Sequence, residues 1–584
     1  MRPLTPSEIT RLESNGCRCG DWNRISLRHD EFDPGSYAGV WFSGDVTLGA
    51  THPSALPGIS NVHLHDCELG DNVTIRDVHL ISGYTIGDGA TLTRCGTITA
   101  DGWNPGGILV NVLDETGSKA LRIHPGLTAQ MAALAIDNDE ARALINTLPL
   151  SAEHNPLRPA INRGATLSGA SLIKSSIIGA HATIGHNAII ENSIIESGAT
   201  VDKGTQITNC FTGQCVTLSN FTAQHSLFFA NTHLCNGEAA SVFAGPFTVS
   251  EHKSTLLIGG SFMMFNAGSG TNQSNHLYKL GPIHHGSMGR GCKCASDSYI
   301  MWPARIGDFT MVSGRHYSHP DTRIFPFSYL IAESDGRSRL LPGENLCKCG
   351  TARDIAKWPA RDRREAVNRL DIISHDAPNA AIISNITKAL SFIEAHGNAT
   401  ADIETGGVLI SPHALRKAHT YYTNAIMRYA GSRILAAAES GTLPGGRHCE
   451  EWTDLAGYVI PSGALRDITG RLRQGDIAGT AALAAAIGGT QQAAAEEETE
   501  YALSLAGKWM ERFGILPGET ETSVLLRGYL QAEEEYLALV LGDAAREAKM
   551  AGRPALAEED PTLDALKKRL INLRTRVARL SERH

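Results

Sequence analysis

The clearest regularity in this 584-residue chain is a period of six in its aliphatic positions. Ile178, Ile184 and Ile190 stand six apart, and after a five-residue step Ile195, Val201 and Ile207 do so again. Small residues follow four positions later, at Ala182, Ala188, Ala199 and Thr205, with Gly179, Gly185, Gly198 and Gly204 nearby. A helix would place residues six apart about 120° out of phase, and a simple strand alternates with period two. A six-residue period with one inward aliphatic per flat side is the pattern of a parallel β-helix. Its tight corners need glycine's freedom or its missing Cβ. Leu69–Ile75 and Ile86–Leu92 repeat this pattern upstream, and Ile306-Gly307-Asp308 takes it up again downstream.

Residues 178–189 resemble the hexapeptide repeat of left-handed β-helix proteins, so the expected fold is a left-handed β-helix over 40–350. Met131, Leu134, Ile136, Ala141, Leu144 and Ile145 fall at helical spacing in a glycine-free run, which predicts a helical insertion over 127–148. After an N-terminal segment (1–39) and the β-helix comes a connector, 351–379, whose basic, Pro-containing part is 357–372. Residues 380–584 then turn Ala-, Leu- and Glu-rich and predict an α-helical domain. Its helices are expected at Ala380–Glu394, Pro412–Glu439, Ala493–Phe513 and Ser523–Met550, with breaks at prolines. Leu563, Leu566, Leu570, Leu573, Val577 and Leu580 form an a/d seam across 563–580. It serves either a coiled coil between subunits or packing within the domain.

Charge narrows the function. Lys and Arg number 52 against 61 Asp and Glu, and a net charge of −9 argues against a basic nucleic-acid surface. No apolar run reaches the roughly 18 residues of a membrane span, and the N-terminus shows no apolar signal region. The expectation is a cytoplasmic protein with reduced thiols and neither membrane nor nucleic acid as partner. The pairs Cys17/Cys19, Cys292/Cys294 and Cys347/Cys349 are weak zinc signatures, so no metal site is assigned to them.

Candidate chemistry concentrates in Glu251–His319, which holds six of the 23 histidines. His252, His276 and His284 are candidates for a general base, because imidazole titrates near neutrality. Asn272, Gln273 and Asn275, in an amide-rich run, are candidates for orienting substrate or stabilising an oxyanion. Lys253, Lys279 and Arg315 are suited to a phosphate or carboxylate, with His316 beside them as a further substrate-binding residue.

Several runs carry a closer resemblance: Phe243-Ala244-Gly245-Pro246, His252-Lys253-Ser254-Thr255, Asn266-Ala267-Gly268-Ser269-Gly270, Asn272–His276, Tyr278–His284, Trp302–Gly307, Gly314-Arg315-His316-Tyr317 and Lys357-Trp358-Pro359. They are similar to a bacterial family of large hexapeptide-repeat proteins loosely labelled as related to sugar-nucleotide pyrophosphorylases. The label fails one test, because no G-x-G-T-R-like loop opens the first 120 residues, and nucleotidyl transfer is disfavoured. What the fold resemblance implies is a transferase acting on a sugar or sugar-nucleotide-like substrate. Acyl transfer from a coenzyme A thioester to a His-activated acceptor would be the reaction, and homo-oligomers are usual. The alternatives are a metal-dependent enzyme, with zinc held by His276, His284 and His316, and a non-catalytic oligomeric scaffold.

Overall fold

The computed structural model describes residues 1–51, 58–151, 156–275, 283–441, 451–513, 521–553 and 559–581. Residues 25–331 wind into a parallel β-solenoid, and a helical region follows. On one face Ile161, Ile178, Ile195, Thr212, Phe228, Ala244 and Phe262 stack in register, inward, on successive coils of 17, 17, 17, 16, 16 and 18 residues. The five-residue step in the sequence is therefore a real shortened side. Ile184 stacks on Val201 and Ile190 on Ile207, so two sides of six and one of five make a coil of 17.

Corners are turned by asparagine as well as glycine. Asn187, Asn192, Asn209, Asn220 and Asn236 all have φ between 45° and 60°, a region Asn tolerates better than most residues. Gly179 is needed for another reason: a Cβ there would lie 2.5 Å from the backbone carbon of Glu196 on the next coil.

Helix α1 (Pro6–Ser14), opened by a Thr5–Glu8 capping box, buries Leu12 in the core of the first coil. The expected insertion interrupts the solenoid between strands Thr97–Thr99 and Ala160–Ile161. It comprises a hairpin (Ile108–Asn111 with Ala120–Ile123) followed by α2 (Ala129–Asp137) and α3 (Asp139–Thr147). Next come α4 (Cys349–Arg361), α5 (Ala380–Ala395), α6 (Pro412–Ser440), α7 (Ser462–Gln474), α8 (Thr480–Gly488), α9 (Gln491–Phe513), α10 (Glu521–Met550) and α11 (Pro561–Ser581). The basic stretch read as a connector thus starts inside a helix, α4.

The C-terminal helices cover the solenoid at its open end and along one flank. At its open end Phe392 of α5 packs edge-on against Phe325 at 5.3 Å, and the Tyr422 hydroxyl of α6 donates to the Pro326 carbonyl at 2.7 Å. The last strands are thereby covered, so that edge is not left free to pair with another chain. On the flank an outward column of Ile194, Phe211, Leu227 and Phe243 is buried as well. The insertion, the hairpin Trp452–Leu455/Tyr458–Pro461, α7 and α8 close over it as a second core.

Candidate functional site

The solenoid register places Thr217, His233, Val249, Asn266 and Lys293 side by side on successive strands of one face. Helix α4 and the residues just after it run past this column, leaving a groove of about 450 Å³. The solenoid lines it with His233, Val249, Glu251, Asn266 and Lys293, and the helix side with Asp354, Trp358, Arg361 and Arg363. Buried Phe247, Met264, Phe265 and Trp358 supply the apolar part of the lining.

Cations outnumber anions in this lining, three (Lys293, Arg361, Arg363) to two (Glu251, Asp354). Lys293 is ion-paired with Asp354 of α4. Arg363 donates to the Cys215 carbonyl at 2.5 Å and to Thr217 Oγ1 at 3.1 Å, which fixes its guanidinium against the solenoid. Arg361 is exposed. Burial holds the His233 imidazole below its ordinary pKa; Glu251 opposes this, while Arg363 and Arg361 add to it. A neutral imidazole at pH 7 is competent to accept a proton. Its Nε2 lies 4.0 Å from a Glu251 oxygen and 3.3 Å from the Cys235 sulfur.

The residues singled out from the sequence are dispersed. His252 and Lys253 sit exposed at the corner after strand Val249–Ser250, beside Glu251 but outside the groove lining. Asn272 stands on an outward strand position next to Tyr299. Arg315 is exposed and pairs with Asp297 at 3.0 Å. Gln273 and His316 occupy core positions, in register with Ile300 between them. The Gln273 Oε1 accepts from the Ile258 amide at 3.0 Å. Asn275 donates to Glu115 of the insertion at 3.2 Å, and its carbonyl accepts from the His284 amide at 2.7 Å. Gln273, Asn275 and His284 are thus neighbours along one stretch of chain, whereas His252, Arg315 and His316 lie elsewhere. His276 and Lys279 fall outside the described residues.

The thiols are similarly structural in placement. Cys292 and Cys294 are buried in the core on either side of the groove-lining Lys293, and burial pushes the Cys294 thiol up to about 12. Cys349, Asp543 and Glu547 bring potential ligand atoms within 4.8 Å of one another. Both carboxylates there are already ion-paired, Asp543 with Lys348 at 3.3 Å and Glu547 with Arg353 at 3.0 Å.

A domain family of unknown function, DUF4954, matches residues 1–154 and 159–396. The chain belongs to that family. Every residue lining the groove lies within the DUF4954 match, as do the insertion's helices and α5. An uncharacterized protein of Treponema pallidum (strain Nichols) is 24% identical over 456 residues, covering 68% of this chain. The chain spans 61% of that relative's length. No described helix is long and apolar enough to cross a membrane.

Six groove residues (Glu251, Met264, Phe265, Asn266, Gly291 and Lys293) come from the histidine-rich segment, but the imidazole in the groove, His233, precedes it. Its signal was the coil length. Steps of 16 and 17 residues put His233 in line with Val249 and Asn266, which density of polar letters cannot show, whereas Lys293 follows only after a longer step of 27.

Proposed function

We propose that this DUF4954 protein is a transferase acting on an anionic, sugar-derived substrate bound in the groove between the solenoid and α4. The observation that carries this reading is a single cavity combining a neutral imidazole, an excess of cations, an amide and an aromatic wall. His233 would take the proton of an acceptor hydroxyl or amine. Arg361 and Arg363 would hold a phosphate or carboxylate, and Asn266 a sugar hydroxyl. The Trp358 and Phe247 side would cover a base or an acyl chain. The repeat's resemblance to hexapeptide transferases favours a coenzyme A or carrier-protein thioester as donor, and that part rests on fold analogy.

The test is thioester consumption by the full chain across amino-sugar and nucleotide-sugar acceptors. Turnover should fall at least about 100-fold in His233→Asn with little change in KM, the scale of a lost general base. Arg361→Gln with Arg363→Gln should raise KM instead. No turnover on any acceptor, together with no thermal shift from nucleotide sugars or coenzyme A, would overturn the assignment.

A further inference from the structure

A second cluster lies at the N-terminal end of the solenoid, outside the groove. Strands Trp41–Ser43 and Ile59–His65 pair in parallel, so that Trp41 stands beside His63 and Ser43 beside His65, while Phe42 and Leu64 fill the core between. Alternation therefore puts a hydroxyl and two imidazoles on the outer surface. The Ser43 Oγ is 3.0 Å from His65 Nδ1 and 2.7 Å from His63 Nε2. His65 Nε2 lies 3.1 Å from one oxygen of Asp66, whose other oxygen accepts from the Asp45 amide at 2.8 Å.

The proton positions follow from these partners. The Asp66 carboxylate, in ion-pair contact with His65 and not hydrogen-bonded to it, favours a proton on Nε2 and so leaves Nδ1 as an acceptor for the Ser43 hydroxyl. His63 then donates from Nε2 to the Ser43 oxygen. This is the connectivity of a serine nucleophile, an imidazole base and an orienting carboxylate. Beside it runs an apolar row. Trp41, 55% exposed, stacks on His63 at 4.0 Å and 9°, and Leu80 follows in register on the next coil.

We propose that Ser43 is the nucleophile of a second, esterase-type site that accepts carboxylic esters with an apolar acyl group. The acyl group lies along Trp41, His63 and Leu80. The Ser43 Oγ bonds to the ester carbonyl carbon as its proton passes to His65 Nδ1, and the carbonyl electron pair moves to oxygen. The His63 N–H, held by Ser43 Oγ at rest, turns to that oxygen as Oγ bonds to carbon. Collapse breaks the bond to the alcohol, which leaves with the proton from His65. Water, deprotonated by His65, then adds to the acyl carbon; collapse breaks the acyl–Oγ bond, the acid leaves, and the proton on His65 returns to Ser43 Oγ. Asp66 is a positioning residue, acting through His65.

The full chain is treated with a fluorophosphonate probe and mapped by peptide mass spectrometry, and p-nitrophenyl butyrate hydrolysis is followed in parallel. The expected result is an adduct on Ser43 and an ester rate that drops at least ten-fold in Ser43→Ala but persists in Ser82→Ala, which alters the neighbouring hydroxyl. Asp66→Asn should lower kcat at unchanged KM. A change in KM alone would remove its positioning role. An unmodified Ser43, or wild-type hydrolysis by Ser43→Ala with its fold intact by circular dichroism, overturns the proposal.

Discussion

The imidazole of His316 is wholly buried in line with Ile300, and its two nitrogens are both used. Nε2 lies 3.2 Å from the Ser313 carbonyl, which can only accept, so Nε2 bears the proton and Nδ1 accepts from the Ser338 hydroxyl at 2.8 Å. Burial pushes its pKa down to about 4, against 6.5 in the open chain. Below 6.5 the unfolded chain binds a proton that the folded chain refuses, so the native state is favoured fully above that pH and loses ground as pH falls towards 4. The loss approaches about 3 kcal/mol at the foot of the window. Urea unfolding across pH 7 to 4 should therefore show a steeper acid decline for the wild type than for His316→Gln. Parallel declines would mean that His316 is not held neutral. The same residue shows why a polar cluster in the sequence was a poor guide to chemistry. Gln273 and His316 are core positions of the solenoid: both His316 nitrogens are used, by Ser313 and Ser338, while Gln273 accepts from Ile258 through Oε1 and leaves its buried Nε2 without a partner. Only the stacking register separates such positions from the outward His233.

Among elements, α11 tests what a heptad seam is for. Leu563 is buried against Tyr536, Val540 and Ala544 of α10 and against Cys349 and Ala352 of α4. Leu573 and Leu580 pack with Leu526 and Tyr529 of α10 and Leu435 of α6. The seam is satisfied inside its own chain, which withdraws the sequence's argument for a coiled coil between subunits. Leu573→Ala should cost about 2–5 kcal/mol in denaturant unfolding, the usual price of truncating a buried leucine. Ile571→Ala, on the exposed face of the same helix, should change stability by no more than about 0.5 kcal/mol. Equal effects would place Ile571, too, in an interface. The long helices were legible because their apolar periodicity is uninterrupted, whereas α7 and α8, short and flanked by glycine, were not. A subtler signal was present in the solenoid. Where Ile177-Ile178, Ile194-Ile195 and Leu227-Phe228-Phe229 replace single aliphatics, the sheet is apolar on both sides. Such runs mark a covered face, here the one under the insertion and the C-terminal hairpin.

At the scale of the whole molecule, Arg290 ties these layers together. Its guanidinium, with no exposed surface, donates to Asp454 at 2.5 Å, to the Ser374 carbonyl at 2.7 Å and to the Gly457 carbonyl at 3.1 Å. A solenoid corner is thereby fastened to the hairpin Trp452–Pro461. That hairpin in turn holds the insertion, because the Gln130 amide of α2 donates to the carbonyls of Leu455 at 3.3 Å and Ala456 at 3.2 Å. Asp371 completes the link, one oxygen accepting from the Ala129 amide at the start of α2 and the other from Ala230 of the solenoid. None of this was legible in the sequence, since the partners are separated by 84 to 326 residues and no periodicity relates them. Arg290→Leu strands the Asp454 carboxylate in a largely buried position and should cost about 3–5 kcal/mol, the range for breaking one side of a buried pair. Because the hairpin is the shared element, amide hydrogen exchange should accelerate in α2 as well as in 452–461, while the coils over 161–218, fastened by their own ladders, keep their protection. Acceleration confined to 452–461 would show instead that the solenoid alone anchors the insertion, through Asp371 and the outward Ile194, Phe211 and Leu227 column.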